Sequence, residues 1–281
     1  MINIKSRVAL TAVIAAVFVA ILLVQFTPQG AAAAKKAVEV RFVTYNICGL
    51  PDLITRDRGL AAARKRFPLI GERLRNYDII SLQEVFIPQR TLVIKKLFNY
   101  YLARGTDSGM PTKPGSGIYV LSRWSIPRYT FEKWNDLEDY DSWSHKGFLG
   151  ATTVIPDGPA IDIYGLHAQA GHEKTRKKNY QQLIDALVRN SIGTGRPIIL
   201  MGDFNCDMRD EDCHWLIENA GLTHVNPNLP NDQIDHIFYI QNNSEWKINV
   251  KSFGFVFDKP VNGHMLSDHN GYAATIEFTR K

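Results

Sequence analysis

Six segments of this chain end an apolar run on a residue that can bind a metal ion or move a proton. Val43-Thr44-Tyr45 runs into Asn46, Ile80-Ser81-Leu82-Gln83 into Glu84, and Ile163-Tyr164-Gly165-Leu166 into His167. Residues 198–202 run into Asp203-Phe204-Asn205, Ile234 into Asp235-His236, and Leu266-Ser267 into Asp268-His269. Taken singly, each has an ordinary explanation, because Asp and Asn are common turn residues after a strand and a lone His is more often structural than catalytic. Taken together they offer only carboxylate, amide and imidazole groups, which turns do not explain. Carboxylate and amide oxygens are hard ligands that suit Mg²⁺ or Mn²⁺, ions that take few protein groups and keep waters for a phosphate. Two histidines and an Asp outside the ligand set can supply a proton acceptor, a proton donor and an orienting partner. With no nucleophilic Cys or Ser among these residues, the chemistry indicated is attack of water on a phosphoester.

Such a site needs rigid strands to carry it. Strand-like runs are predicted at residues 38–47, 78–84, 117–122, 147–155, 161–167, 197–202, 234–240, 246–257 and 273–278. Phe67, Ile70 and Leu74 recur at helical spacing, and Pro88 is placed to open a helix running to Tyr100. Residues 173–190 give the clearest helix, with Tyr180, Leu183, Ile184, Leu187 and Val188 on one face. Two sets of strands with helices between them in sequence predict two packed sheets with helices outside, an α/β fold of four-layer α/β/β/α sandwich type in a single domain.

At these residues the sequence resembles the endonuclease/exonuclease/phosphatase superfamily, with its DNase I-like fold. The matching pieces are Tyr45-Asn46, Gln83-Glu84, Gly202-Asp203-Phe204-Asn205, Ile234-Asp235-His236-Ile237 and Ser267-Asp268-His269. Within that superfamily the chain looks most like the secreted bacterial neutral sphingomyelinases. His167-Ala168-Gln169-Ala170 resembles their His-x-Gln segment, and residues 117–126 resemble their Gly-hydrophobic-Ser-Arg-x-Pro-Ile strand, with Ser125 where Pro is frequent. Lys146-Gly147 matches the pair that opens their next strand, whereas Cys206 after Gly-Asp-Phe-Asn departs from the pattern. The resemblance implies an Mg²⁺-dependent phosphodiesterase cutting sphingomyelin to ceramide and phosphocholine. It implies that Glu84 binds the metal with Asn46 close by, while Asp268 completes the metal-side carboxylates. Asp203 and Asn205 would position water and phosphate, and His167 would contact the phosphate or the leaving oxygen. His269 would be the general base, held by Asp235. The rival readings are an exported nuclease, a phosphoinositide or other phosphomonoester phosphatase, and a catalytically silent membrane-binding protein.

The remaining features bear on location and partners. Lys5 and Arg7 precede an uncharged apolar run over residues 8–26, followed by Pro28, Gly30 and Ala32-Ala33-Ala34. This is a secretory signal pattern, although the run is longer than the roughly 7–15 residues of a usual signal core and approaches the ~20 that span a bilayer. Residues 1–34 are therefore expected to be a signal peptide or an N-terminal membrane anchor, and residues 35–281 an exported catalytic domain, secreted or periplasmic. Export would permit a Cys206–Cys213 bridge with Cys48 left over, and three unpaired thiols is the equal alternative. A formal charge of +5 is too mild to announce a nucleic-acid binder. Residues 124–148 interleave Trp124, Tyr129, Phe131, Trp134, Tyr140, Trp143 and Phe148 with five acids, which would repel a phosphate backbone. Aromatics beside carboxylates could instead hold a choline headgroup or anchor at a bilayer; the alternative is that they pack into the sandwich. The expected partner is a phospholipid or sphingolipid membrane surface, met by a monomer.

Overall fold

A computed structural model of the chain describes residues 36–107, 114–226, 228 and 231–281. The expected leader over residues 1–34, with its apolar run at 8–26, lies outside the described residues. Among the described residues no helix is long and apolar enough to cross a membrane.

Among the described residues, twelve strands form two six-stranded sheets. The first holds β1 (Ala37–Asn46), β2 (Ile79–Gln83), β3 (Tyr101–Arg104), β4 (Tyr119–Ser122), β11 (Trp246–Val256) and β12 (Gly271–Arg280), in the order β11-β12-β1-β2-β4-β3. The second holds β5 (Arg128–Lys133), β6 (Gly147–Val154), β7 (Ala160–His167), β8 (Ile198–Asp203), β9 (Thr223–His224) and β10 (Asp235–Ile240), in the order β5-β6-β7-β8-β10-β9. The helices are α1 (Asp52–Asp57), α2 (Ala63–Leu74), α3 (Thr91–Ile94), α4 (Glu173–Asn190) and α5 (Glu211–Ala220). Among the described residues, only β1/β2 and β7/β8 are parallel pairs.

The central strands are apolar on both faces, and their alternation sorts the core into three layers. Val40 and Phe42 of β1 point between the sheets, as do Ile199 and Met201 of β8 and Ile161 and Ile163 of β7. Their neighbours Val43 and Tyr45 point outward onto Phe67, Ile70 and Leu74 of α2. Ile198 and Leu200 point outward on the other side, onto Tyr180, Leu183 and Leu187 of α4 and Leu216 of α5. This is the four-layer α/β sandwich that the strand and helix pattern predicts.

The sequence also misplaces some elements. Short strands β3, β5 and β9 and helices α1 and α5 escape the pattern, because they are edge strands or short helices. The single helix expected from Pro88 to Tyr100 is instead a turn of 3₁₀ helix, the four residues of α3 and a second 3₁₀ turn over Lys95–Leu97.

Two parallel pairs fix where the site must lie. The carboxyl ends of β1 and β2 leave one edge of the first sheet, and those of β7 and β8 leave one edge of the second. The antiparallel partners begin there: Asp235 of β10 is in register with Asp203, and Tyr272 of β12 with Thr44. A buried cation holds this end of the first sheet together. Arg66 of α2 donates to the carbonyls of Ile47 at 3.0 Å, Cys48 at 3.1 Å and Leu266 at 2.7 Å, just before Ser267-Asp268-His269. A fourth bond, to the Ala61 carbonyl at 2.7 Å, ties it to the segment that leads into its own helix. Replacing Arg66 by Leu leaves these carbonyls buried without donors, at about 1–3 kcal/mol for each one that water cannot reach. The expected loss is about 3 kcal/mol or more in denaturant unfolding, read as a lower midpoint at unchanged slope; a loss under about 0.5 kcal/mol would show that the carbonyls find other partners.

Candidate active site

Every residue that ends an apolar run in the sequence lies at this edge, except that His236 points to the other face. Asn46 closes β1 and is fully buried. Its side-chain amide donates to Glu84 Oε1 at 3.2 Å and to Asp203 Oδ2 at 3.0 Å, so one group joins the two sheets. Glu84 follows β2 with a φ of 55°, a left-handed turn that aims its carboxylate off the strand. Gly49 packs against that turn: a Cβ there would stand 2.0 Å from the Glu84 carbonyl oxygen. Asn205, also left-handed at φ 55°, donates its backbone N–H to Asp203 Oδ1 at 3.0 Å and its side-chain amide to the Ala168 carbonyl at 2.9 Å.

The two histidines approach Asp203 and differ in state. His167 Nε2 lies 3.3 Å from Asp203 Oδ2 in a fully enclosed position. Burial, followed by the nearby charges of Lys146 and His269, pushes its pKa well below the ordinary imidazole value. His167 is therefore neutral at neutral pH, and Trp134 Nε1 fixes its backbone by donating to its carbonyl at 2.7 Å. His269 Nδ1 lies 2.7 Å from Asp235 Oδ2, and its Nε2 faces Asp203 Oδ2 at 3.9 Å. Burial alone would lower His269, but Asp235, Asp203 and Asp268 outweigh it and raise the pKa to about 10. Glu84 and Asp203 are both pushed upward, first by burial; Asp203 is raised further by Asp235.

Asp268 stands somewhat apart. Its carboxylate pairs with Arg58 and lies 3.2 Å from Ser267 Oγ, and among the described residues no hydrogen bond or ion pair joins it to Asn46 or Glu84. Burial would raise its pKa, yet the Arg58 contact leaves it lowered. Ser267 Oγ also donates to the Asn46 carbonyl at 2.7 Å, which keeps the Asp268-His269 turn against the end of β1.

Two residues at the site carry no sequence signal of their role. Arg58 sits in a polar turn that reads as surface. Lys146 is noticeable only as half of a Lys-Gly pair, yet it is buried, ion-paired with Asp141 at 2.5 Å, and close enough for its charge to act on Glu84, Asp203 and His167. Residues 124–148 divide between the two expectations for their aromatics. Trp134 packs against Phe148 in the core and gives its Nε1–H to the His167 carbonyl, so it is a packing residue. Tyr140 and Trp143, on a 3₁₀ turn at Asp139–Trp143, are 90% and 67% exposed.

The donor set fits a hard divalent cation. Glu84 Oε2 is buried with no hydrogen-bond partner, as is Asp235 Oδ1, and a buried carboxylate oxygen without a partner is costly unless a cation meets it. Asp203, Asp235 and His269 also bring ligand atoms within 4.8 Å of one another. What remains is one neutral imidazole, one imidazole charged and oriented by a carboxylate, and an amide: groups for proton transfer and for holding an anion.

This fold and this set of strand-end residues define a class of hydrolases. The chain belongs to the endonuclease/exonuclease/phosphatase family, which it matches over residues 43–269. It is 27% identical over 263 residues to a sphingomyelinase of Mycobacterium bovis, an alignment covering 81% of this chain and 50% of that protein. The chain thus spans about half the length of the curated relatives it matches. Among solved structures, sphingomyelinase C of Streptomyces griseocarneus superposes with a TM-score of 0.66 at 18% identity, covering 85% of this chain and 99% of that one. A substituted beta toxin of Staphylococcus aureus with bound magnesium ions gives 0.67 at 16% identity, covering 84% and 99%. These structural likenesses bear on the fold.

The dyad makes a direct titration possible. In metal-free protein the His269 ring is expected to titrate near pH 10 by NMR. Because its folded pKa is raised, the stability it contributes is complete below the unfolded value of about 6.5 and fades as pH rises toward 10. Replacing Asp235 by Asn should bring the midpoint down by more than a unit; an unchanged midpoint would mean that Asp235 does not hold the imidazolium.

Proposed function

We propose that the protein is an exported, Mg²⁺-dependent phosphodiesterase that hydrolyses sphingomyelin to phosphocholine and ceramide. The observation that carries the hydrolytic part is the pairing of an unpartnered buried Glu84 oxygen with the His269–Asp235 dyad on the far side of Asp203. The sphingomyelin part is supported by the relatives at 27% identity and by the exposed aromatics Tyr140 and Trp143 next to acidic residues. The leader-like residues 1–34 support export.

Asn46, Glu84 and Asp203 would hold the cation, which when bound supplies positive charge to polarise the phosphoryl oxygen. Asn205, its backbone fixed on Asp203 and its amide on Ala168, limits where a phosphate can sit. Asp235 holds His269 through Nδ1 and leaves Nε2 toward Asp203, the position from which it takes a proton from the attacking water. Of the carboxylates that raise His269, Asp203 is the one that a divalent ion held there would neutralise, so a filled site shifts His269 toward the proton-accepting form. His167, kept neutral by burial, can donate a hydrogen bond to the phosphate or to the leaving oxygen without bringing charge. Lys146 adds a buried positive charge on the same side and links the site through Asp141 to the turn that bears Tyr140 and Trp143.

Purified protein with Mg²⁺, offered sphingomyelin vesicles, plasmid DNA and a phosphoinositide in parallel, should release phosphocholine and lose that activity on chelation, with recovery on Mg²⁺ or Mn²⁺. Plasmid nicking without phosphocholine release would favour a nuclease, and full activity in excess chelator would remove the cation from the mechanism.

Replacing His269 or His167 by Ala should each lower turnover by about 10²–10⁴, the usual contribution of a positioned acid or base. Asp235→Asn should cost less, since it orients His269 and touches no substrate. Near wild-type turnover in a folded His variant would refute the assignment.

Replacing Tyr140 and Trp143 together by Ala should depress vesicle hydrolysis several-fold more than hydrolysis of a soluble phosphodiester, because exposed aromatics favour the bilayer interface and attract quaternary ammonium groups. Equal losses on both substrates would exclude these residues from lipid recognition.

A further inference from the structure

Behind the active-site edge, on the opposite face of the second sheet, lies a second cluster with different chemistry. Cys206 follows Asn205, and His236 follows Asp235; each turns away from the catalytic edge into the layer between the sheet and helices α4 and α5. Cys213, on α5, completes the group. All three are buried, and their ligand atoms lie within 4.8 Å of one another. The cysteines are unbonded thiols, so the bridge that export would permit is absent here.

The state of the histidine is the informative detail. His236 Nε2 is 2.8 Å from the Cys206 carbonyl, and beside a carbonyl that nitrogen must carry the proton. Nδ1 then bears a lone pair, and it is buried with no partner. An imidazole whose far N–H is fixed on a backbone carbonyl and whose other nitrogen is free has the arrangement of a metal-bound His. Two sulfur donors stand beside it, with Tyr180 Oη 2.9 Å from Cys206 Sγ and Met208 Sδ 4.0 Å from Cys213 Sγ.

We propose that Cys206, Cys213 and His236 supply three ligands of a zinc site, with the fourth position left to a water. Two sulfurs and one imidazole suit the borderline-soft Zn²⁺ and not the hard ions expected at the catalytic edge. Charge selects it as well: two thiolates and a neutral imidazole cancel a divalent ion, so the filled site is neutral in an apolar layer. Binding releases the two thiol protons to solvent. Zinc–sulfur bonds of about 2.3 Å require the three side chains to close by no more than about 1 Å. The ion would clamp α5 to the loop after Asn205 and to the start of β10 after Asp235, supporting two active-site residues from behind. This rests on no assumption about which phosphoester the enzyme cleaves.

Cobalt is the discriminating probe, because a near-ultraviolet thiolate-to-cobalt band arises only from cysteine ligation and ignores any ion at the carboxylate edge. The full chain, purified without chelator or added thiol, should contain about one equivalent of zinc and show the band when zinc is exchanged for Co²⁺. Cys213→Ser and His236→Gln should weaken or shift the band, whereas Asp235→Asn at the catalytic edge should leave it unchanged. Wild-type protein with free thiols and no band would overturn the proposal, whatever the variants do. So would a Cys206–Cys213 disulfide found by mass after alkylation in denaturant.

Discussion

Asn46 gives its side-chain N–H groups to two carboxylates that arrive from different sheets, Glu84 behind β2 and Asp203 at the end of β8. Both carboxylates are buried enough for their pKa values to rise, so each resists ionising and the pair resists sharing one place. The amide eases this by satisfying one oxygen of each, but it leaves Glu84 Oε2 without a partner. Much of the surrounding architecture serves to hold this unfavourable arrangement. Ser267 fastens the Asn46 backbone, Arg66 fastens the carbonyls just beyond it, and Gly49 lets the chain pass close under Glu84. The left-handed backbone at Glu84 and Asn205 belongs to the same pattern, local strain kept where ligands are aimed.

Around that junction the two imidazoles are driven in opposite directions by their surroundings. His167 is enclosed near Lys146 and stays neutral, whereas His269 is surrounded by Asp235, Asp203 and Asp268 and is charged when no cation is present. Identical side chains are thereby separated into a neutral hydrogen-bond donor and a group whose proton affinity depends on how the neighbouring carboxylates are neutralised. Such a separation is characteristic of acid–base sites.

The long central strands were legible because both faces are apolar and each ends on a polar residue; β1, β7 and β8 carry three such ends. The site residues were legible for the same reason: a carboxylate or imidazole that closes an apolar strand is placed at the sheet's edge by the strand itself. Lys146 and Arg58 were not, because their roles come from groups distant in sequence, Glu84 and Asp203 for Lys146 and Asp268 for Arg58, that no local pattern announces. Trp134 misled for a related reason: sequence shows that a residue is aromatic, and only packing against Phe148 and His167 shows that it is core. Helices α1 and α5 were missed as short pieces, and the broken segment around α3 resembled a full helix because Pro88 is as good an opening for a 3₁₀ turn as for an α-helix.

The central claim is that the Asn46–Glu84–Asp203 junction is built around a hard divalent cation. Calorimetric titration of Mg²⁺ into the metal-free protein and into Glu84→Gln addresses it without reference to any substrate. The account predicts saturable binding by the wild type and an affinity at least about tenfold lower in the variant, the 1.4 kcal/mol expected as a minimum when a charged ligand becomes a neutral one. Equal affinities, or no binding to a folded wild type, would contradict it.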